Sequence, residues 1–388
     1  MPKGINIFNF VPSTSGIVQS EFIMLVKTDN AGTSASDQFT IPTSGTGYNY
    51  NVDWGDGTTD TGLTGTTTHT FASGAGTYTV KISGDFRGIY FNNGGDGDKV
   101  LEIQNWGNIA WNVPANTNGA FRNAFYGCNN LEITATDSPD LSAVTTMYYM
   151  FNGATSMVGN SSLNNWDVSN VDNFLGTFQS CIVFDSPLSN WTFPNANTIF
   201  QQMFQNAFVF NQDIGSWNVQ NVTNMNSLFR NAYAFNNGNS ASIGNWNTSN
   251  VTDFRNLFLQ ANAFNQDIGN WDFSNATLGQ ENIFAFATAF NQYLGNWQLN
   301  TALTSLGFMF RSSGMSTENY TDTLVAWANQ VITNGGPFNL DFAGQVGRIF
   351  DTSRSGGANF ANAGAARTYL TSVTPTGAGW TISSDTVI

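Results

Sequence analysis

A chain of 388 residues with 33 Phe and 11 Trp has too much apolar surface to be disordered and too much length for one ordinary core. A formal net charge of −14, with charged residues only 10% of the total, excludes a surface that tracks nucleic-acid phosphates. No apolar run approaches the roughly 20 residues that a helical membrane span needs.

Residues 1–19 mix apolar and polar positions around Pro12 and Gly16 and read as an N-terminal arm or edge strand, suited either to attachment to a partner or to packing on its own domain. Residues 20–88 read as all-β. Phe22–Val26 is a short buried strand, and Tyr48–Asp53 alternates with period two. Asp53-Trp54-Gly55-Asp56-Gly57 then supplies a hairpin turn. Gly76–Ser83 places Tyr78, Val80 and Ile82 on one face. Trp54-Gly55-Asp56-Gly57, His69-Thr70-Phe71 and Gly76-Thr77-Tyr78-Thr79-Val80 together resemble the polycystic-kidney-disease-type (PKD) module, an Ig-like β-sandwich. That resemblance implies a spacer or adhesion unit, and a structural role for the one histidine, His69.

Residues 89–122 form a junction. Asn92, Asn93, Asp96 and Asp98 put oxygen ligands on a glycine-rich loop, a chemistry that suits Ca²⁺, although the EF-hand spacing and its terminal Glu are missing. A solvated turn is the other reading. Trp106–Trp111 then opens the repeats as a non-consensus capping turn.

From there a period of about 26 residues organises the chain. Trp166, Trp191, Trp217, Trp246, Trp271 and Trp297 are separated by 25, 26, 29, 25 and 26 residues. Phe125, Phe151, Phe178, Phe204, Phe229, Phe258, Phe284 and Phe310 follow the same beat. Three residues after each Phe stands a small residue, from Cys128 and Ala154 to Ala287 and Ser313. Six after each of the first seven stands a large apolar one, from Leu131 to Phe290. The long interval contains an insertion, Asn236–Ser242. Val222, Met225, Phe229 and Ala232 fall on one stripe of a helix about three turns long, with Asn221 or Gln220 as its N-cap and Ser169, Asn170, Ser249 and Asn250 as caps in other repeats. Ile268–Phe273 suits a short strand. The expected unit is helix, turn, strand, turn, and the expected fold is an LRR-like α/β solenoid of about eight repeats behind an Ig-like sandwich.

Ala124-Phe125-Tyr126-Gly127-Cys128-Asn129-Asn130-Leu131 and the Phe-Asn-Gln-Asp-Ile-Gly-Asn-Trp units, such as Phe264–Trp271, resemble the BspA-like leucine-rich-repeat surface proteins of bacteria and phages. The likeness covers residues 89–316 and implies adhesion or recognition without naming a ligand. Residues 317–388 lose the period and read as a C-terminal capping region. Thr321–Gln330 and Ala363–Leu370 are its expected helices, and Gly379–Ser383 its last strand.

Chemistry has little to work with. One His and two Cys exclude hydrolytic triads and zinc sites of ordinary spacing. Cys128 and Cys181 share a column two repeats apart, beyond the roughly 7 Å that a disulfide spans, so both are expected reduced and buried. Asp213, Asp267 and Asp272 are the remaining carboxylates of interest, and the first two recur because the turn uses them. Neither catalysis nor a resident cofactor is expected. Tyr148, Tyr149 and Tyr233 stand at variable repeat positions and are the candidate ligand-stacking residues. Met1–Phe10 shows no apolar h-region or cleavage site, which points to display by assembly into a virus particle. The expectation is therefore a non-enzymatic virion surface protein: a fibre, receptor-binding or capsid-decoration subunit that binds a host glycan or protein. A bacterial cell-surface adhesin is the alternative, and homo-oligomerisation fits either.

Overall fold

The computed structural model describes residues 21–112, 119–373 and 376–388. The N-terminal arm expected over 1–19 lies outside them. A mostly β N-terminal sheet region leads into a long aromatic-rich repeat region.

The N-terminal strands are β1 (Phe22–Lys27), β2 (Gln38–Ile41), β3 (Asn49–Asp53), β4 (Thr59–Leu63), β5 (Thr67–Thr70), β6 (Thr77–Asp85) and β7 (Val100–Asn105). A two-residue strand, β8 (Glu132–Ile133), lies within the first repeat. The main sheet runs β4-β3-β6-β1-β7-β8, and β2 pairs separately with β5. β3 and β4 form the hairpin that Asp53–Gly57 signals. β1 is central: Phe22 lies opposite Ile82 on β6, and Val26 opposite Val100 on β7. Its apolar residues Phe22, Met24 and Val26 are wholly buried, together with Phe39 and Ile41 of β2.

The boundary expected at residue 88 is bridged. β7 pairs antiparallel with β1 and parallel with β8, so the N-terminal sheet passes without a break into the repeats. Phe91 and Asn93 already donate to Ala124 and Tyr126, as a preceding repeat does.

Within the repeats the helix expectation fails. Among the described residues α-helix is confined to α1 (Thr317–Asn334) and α2 (Ala363–Thr371). Around each column Phe the chain makes overlapping turns. Met150, Asn152 and Ala154 donate to the carbonyls three residues earlier, Met147, Tyr149 and Phe151. The N–H groups between them point the other way. Tyr149, Phe151 and Gly153 donate to Leu175, Thr177 and Gln179 of the next repeat at 2.8, 3.0 and 2.9 Å. The same alternation recurs from Asn123 to Ser312.

A helix would use all these donors internally. Here every second one links two repeats. The alternation requires a left-handed residue two positions before and two after each Phe. Those positions carry φ between 52° and 79°, as at Gln202 and Asn206, Ser227 and Asn231, or Asn256 and Gln260. The strand also moves: Thr198–Ile199 pairs parallel with Val222–Asn224, where the helix is expected to begin. Ile268–Phe273 is turn and extended chain instead of a strand. Asn250 is no N-cap; its amide donates to Gln220 of the previous repeat at 2.8 Å, as Asn275 does to Ser249 at 2.5 Å.

Stacking in register is the result. Rings from Phe125 to Phe310 form one column with centroids 5.6–6.0 Å apart. Phe184, Phe210, Phe235, Phe264 and Phe290 form a second at 5.9–6.1 Å. The two columns interleave at 3.8–4.3 Å. From Trp191 to Trp297, each column indole N–H donates to a carbonyl of the previous repeat at 2.7–3.3 Å. The glycine two residues before each later Trp permits this approach: a Cβ at Gly244 would meet Asp267 O of the next repeat at 2.5 Å. Cys128 and Cys181 are free and buried in the small-residue column.

α1 ends the series by imitating a repeat. Trp327 takes the next indole position and donates to Leu294 O at 3.1 Å. Ser316 caps the helix by accepting from Asn319 N–H, and Gly335 closes it with φ 77°. Leu324, Trp327 and Val331 are buried, as their spacing predicts. Beyond it, Asp341–Phe342 and Thr381–Ile382 continue the parallel ladder.

Two stability measurements test this architecture. Phe229→Ala removes a ring stacked on both neighbours and should cost about 3–5 kcal/mol in urea unfolding. Gln260, exposed with φ 60°, separates the turn from a helix. Gln260→Gly should stay within about 0.5 kcal/mol of wild type. Gln260→Val should lose about 1–2 kcal/mol. The reverse order is helix behaviour and would refute the turn.

Candidate functional site

The motif that most resembles a binding site is consumed by the frame. In Phe-Asn-Gln-Asp, each Asn Oδ1 accepts the N–H of the matching residue one repeat on. Asn211 accepts from Asn236 at 2.7 Å, Asn236 from Asn265 at 2.9 Å, Asn265 from Asn291 at 2.8 Å, and Asn291 from Ser316 at 2.8 Å. Gln266 and Gln292 return an amide N–H to the previous Asn carbonyl at 3.2 and 2.8 Å. Asp213 and Asp267 accept from the N–H two residues on, each at 2.9 Å, and Asp272 does so at 2.8 Å. The insertion is anchored at Asn237, while Gly238, Asn239 and Ala241 are exposed. Asn237 is wholly buried, accepts from Ile214 N–H at 2.9 Å and donates to Ser240 O at 2.9 Å.

The calcium candidates do not converge. Asp96 is buried and accepts from the N–H groups of Thr33 and Ser34 at 3.0 Å and of Thr40 at 2.7 Å, with the Ser34 hydroxyl at 2.6 Å. Desolvation pushes its carboxyl up, but these bonds outweigh burial and hold it below the usual range. Asp98 instead accepts from Asn129, and Asn92 from Asn123 at 2.7 Å. The three side chains serve separate partners: Asp96 ties the 33–40 segment to the junction, while Asp98 and Asn92 tie the junction to the first repeat. Among the described residues no group of three or more His, Cys, Asp or Glu side chains is placed to hold a metal ion.

His69 belongs to a clamp. Its ring stacks on Trp54 at 4.6 Å, its Nε2 lies 2.9 Å from Asp56 Oδ2, and Trp54 Nε1 donates to Asp60 at 2.9 Å.

What the frame leaves over is the outer surface of the turns, where the left-handed positions point away from the Phe column. Tyr148 and Tyr149 stand there together, ring centroids 4.3 Å apart, with Tyr126 at 5.6 Å from Tyr149. The Arg122 guanidinium lies 4.4 Å from the Tyr148 ring centre. Tyr149 runs across Gly176, where any side chain would collide with its ring, and its hydroxyl reaches Gln202 Oε1 at 3.4 Å. Burial, then the neighbouring Tyr148, raises the Tyr149 pKa, so the phenol stays neutral.

Further along this surface the turns carry amides. Asn152 donates to Gln179 at 2.9 Å and Asn231 to Asn206 at 2.8 Å. At its far end Arg311 lies between Phe286 and Phe308, 5.2 and 5.7 Å from their ring centres. Arg–aromatic clusters thus stand at both ends, and the turns between them carry Arg230 and Arg255, the latter paired with Asp253 at 2.6 Å, besides the amides. Tyr233 is separate: 40% exposed, it stacks on Phe208 at 4.8 Å beside exposed Val209. Arg122, Tyr126, Phe286, Phe308 and Arg311 do not stand out in the sequence. Their one signal there is position, since each lies within three residues of a column Phe.

Comparison with family profiles matches residues 119–241 and 238–327 to one described as "Mycoplasma protein of unknown function, DUF285". No curated protein and no solved structure matches the chain.

The Asp56 clamp sets a pH test. Burial raises the Asp56 carboxyl, but hydrogen bonds from the Thr58 hydroxyl, His69 and Thr58 N–H outweigh it and bring it from 3.8 down to about 2. A depressed carboxyl stabilises the fold fully above its unfolded value and loses that contribution as pH falls through the folded one. Denaturation followed by Trp54 near-ultraviolet signal should therefore weaken between pH 3.8 and about 2. Asp56→Asn should start weaker and show a flatter dependence across that window.

Proposed function

The chain belongs to the DUF285 family, whose two matched segments cover the repeats, and on that premise we propose a non-enzymatic recognition protein displayed on a surface. In this proposal the repeats form a BspA-like, LRR-type solenoid capped by residues 317–388. The N-terminal sheet region is a PKD-type Ig-like module that holds the solenoid off its support. The surface is that of a phage particle, where the N-terminal arm or module contacts other virion proteins. The ligand is a glycan or protein of the host surface.

One observation carries it: the frame is alike from repeat to repeat, while the turn surface varies and gathers Tyr126, Tyr148, Tyr149 and Arg122 at one end. Rigid aromatics backed by Arg and edged by neutral amides are the composition of a contact surface, since they bury area at little cost in side-chain entropy. Asp213, Asp267 and Asp272 are each committed to a turn N–H, which supports a role other than hydrolysis.

Labelled protein should bind host envelopes saturably, and the double variant Arg122→Ala, Tyr149→Ala should bind roughly tenfold more weakly with its thermal midpoint little changed. Mass spectrometry of purified particles should find the chain. Its presence only in cell envelopes would place it on a bacterial surface instead, and unaltered binding by the double variant would rule out this face.

A further inference from the structure

An open groove lies away from the turn surface, where α1 meets the last Trp-bearing repeat. It has a volume of about 690 Å³, inside the range of small-ligand sites. Its floor is Val325 and Ala326 of α1, one wall is Tyr293 and Gly295, and the other is the loop 354–359. The walls are fixed before any ligand arrives. Gln330 Nε2 donates to Gly295 O at 2.8 Å, Asn329 Nδ2 to Gly356 O at 3.0 Å, and Asn359 N–H to Asn329 Oδ1 at 2.8 Å.

Three features define what fits. Tyr293 is 38% exposed. The hydroxyl end of its ring lies against Gly295, where any side chain would collide with it. Arg354 holds Asp322 through two bonds of 2.8 Å and Glu318 through one of 3.0 Å, so two carboxylates share one guanidinium beside the groove. The rim carries neutral amides and hydroxyls, with Gln298, Asn334 and Ser355 among the lining residues. An anionic ligand would meet a group with one carboxylate in excess, and a lipid chain would leave the amides unpaired. A pyranose presents an apolar C–H face to a ring and hydroxyls to amides.

We propose that this groove binds a short neutral oligosaccharide, with the Tyr293 ring stacked on one sugar and the α1 rim bonding its hydroxyls. The site does not depend on the turn surface, so either can fail alone.

The test is isothermal titration of the full chain with maltohexaose, cellohexaose and chitohexaose, and with hexagalacturonate as an acidic counterpart. At least one neutral hexasaccharide should bind saturably. Tyr293→Ala should weaken it roughly tenfold or more, and Tyr293→Trp should retain it. Thr333→Arg, at an exposed helix position on the rim, blocks the groove without touching the core and should also weaken binding. The pair Arg122→Ala, Tyr149→Ala should leave it unchanged. No saturable binding by any neutral hexasaccharide overturns the ligand class, as does hexagalacturonate binding equally well. Binding unaffected by both Tyr293→Ala and Thr333→Arg overturns the site.

Discussion

The repeat region depends on where alternate backbone N–H groups go. Around each column Phe one donor closes a turn within the repeat and the next reaches across to its neighbour. Sending successive donors in opposite directions demands left-handed residues at a spacing of four, and it brings neighbouring chains close enough for their side chains to touch throughout. The ring columns, the small residues beside them and the glycine before each later Trp are consequences of that closeness. A residue with a bulky branched Cβ at a left-handed position would oppose the backbone itself, which is why Asn, Gly, Ser and Gln occupy most of these sites.

This explains how much of the fold is legible in the sequence. Burial in a stack repeats with the stack, so Trp166 to Trp297 and Phe125 to Phe310 can be read as core from spacing alone, and all are buried. The helix expectation fails because Val222, Met225, Phe229 and Ala232 keep helical offsets while belonging to a run of turns. Ser227 and Asn231, both left-handed, are the contrary signal four residues apart. The site is half legible. Tyr148 and Tyr149 stand out as aromatics in a polar position, but the residues that complete their cluster, Arg122 and Tyr126, belong to the repeat before and become neighbours only on stacking. Asp96 misleads because a carboxylate on a glycine loop looks the same whether its partners are a cation or backbone donors supplied from Thr33 to Thr40.

Interior and surface therefore answer to different demands. Asn211, Asn236, Asn265 and Asn291 recur because the Oδ1 of each accepts the backbone N–H of the matching residue one repeat on. Side chains that project from the turns differ from repeat to repeat above the same backbone hydrogen bonds. That separation suits a protein whose contacts must diversify while its shape persists.

The end of the series carries one more implication. Trp327 enters the indole position of a repeat and Ser316 closes the Asn series, although both belong to a helix. The terminating piece thus reads only the last repeat and is indifferent to how many came before. Duplication or loss of a whole repeat would leave both junctions intact and alter only the distance between the N-terminal sheet and the final helix. The molecule is built as a ruler, graduated in steps of about 26 residues, and its length is open to selection independently of what it touches.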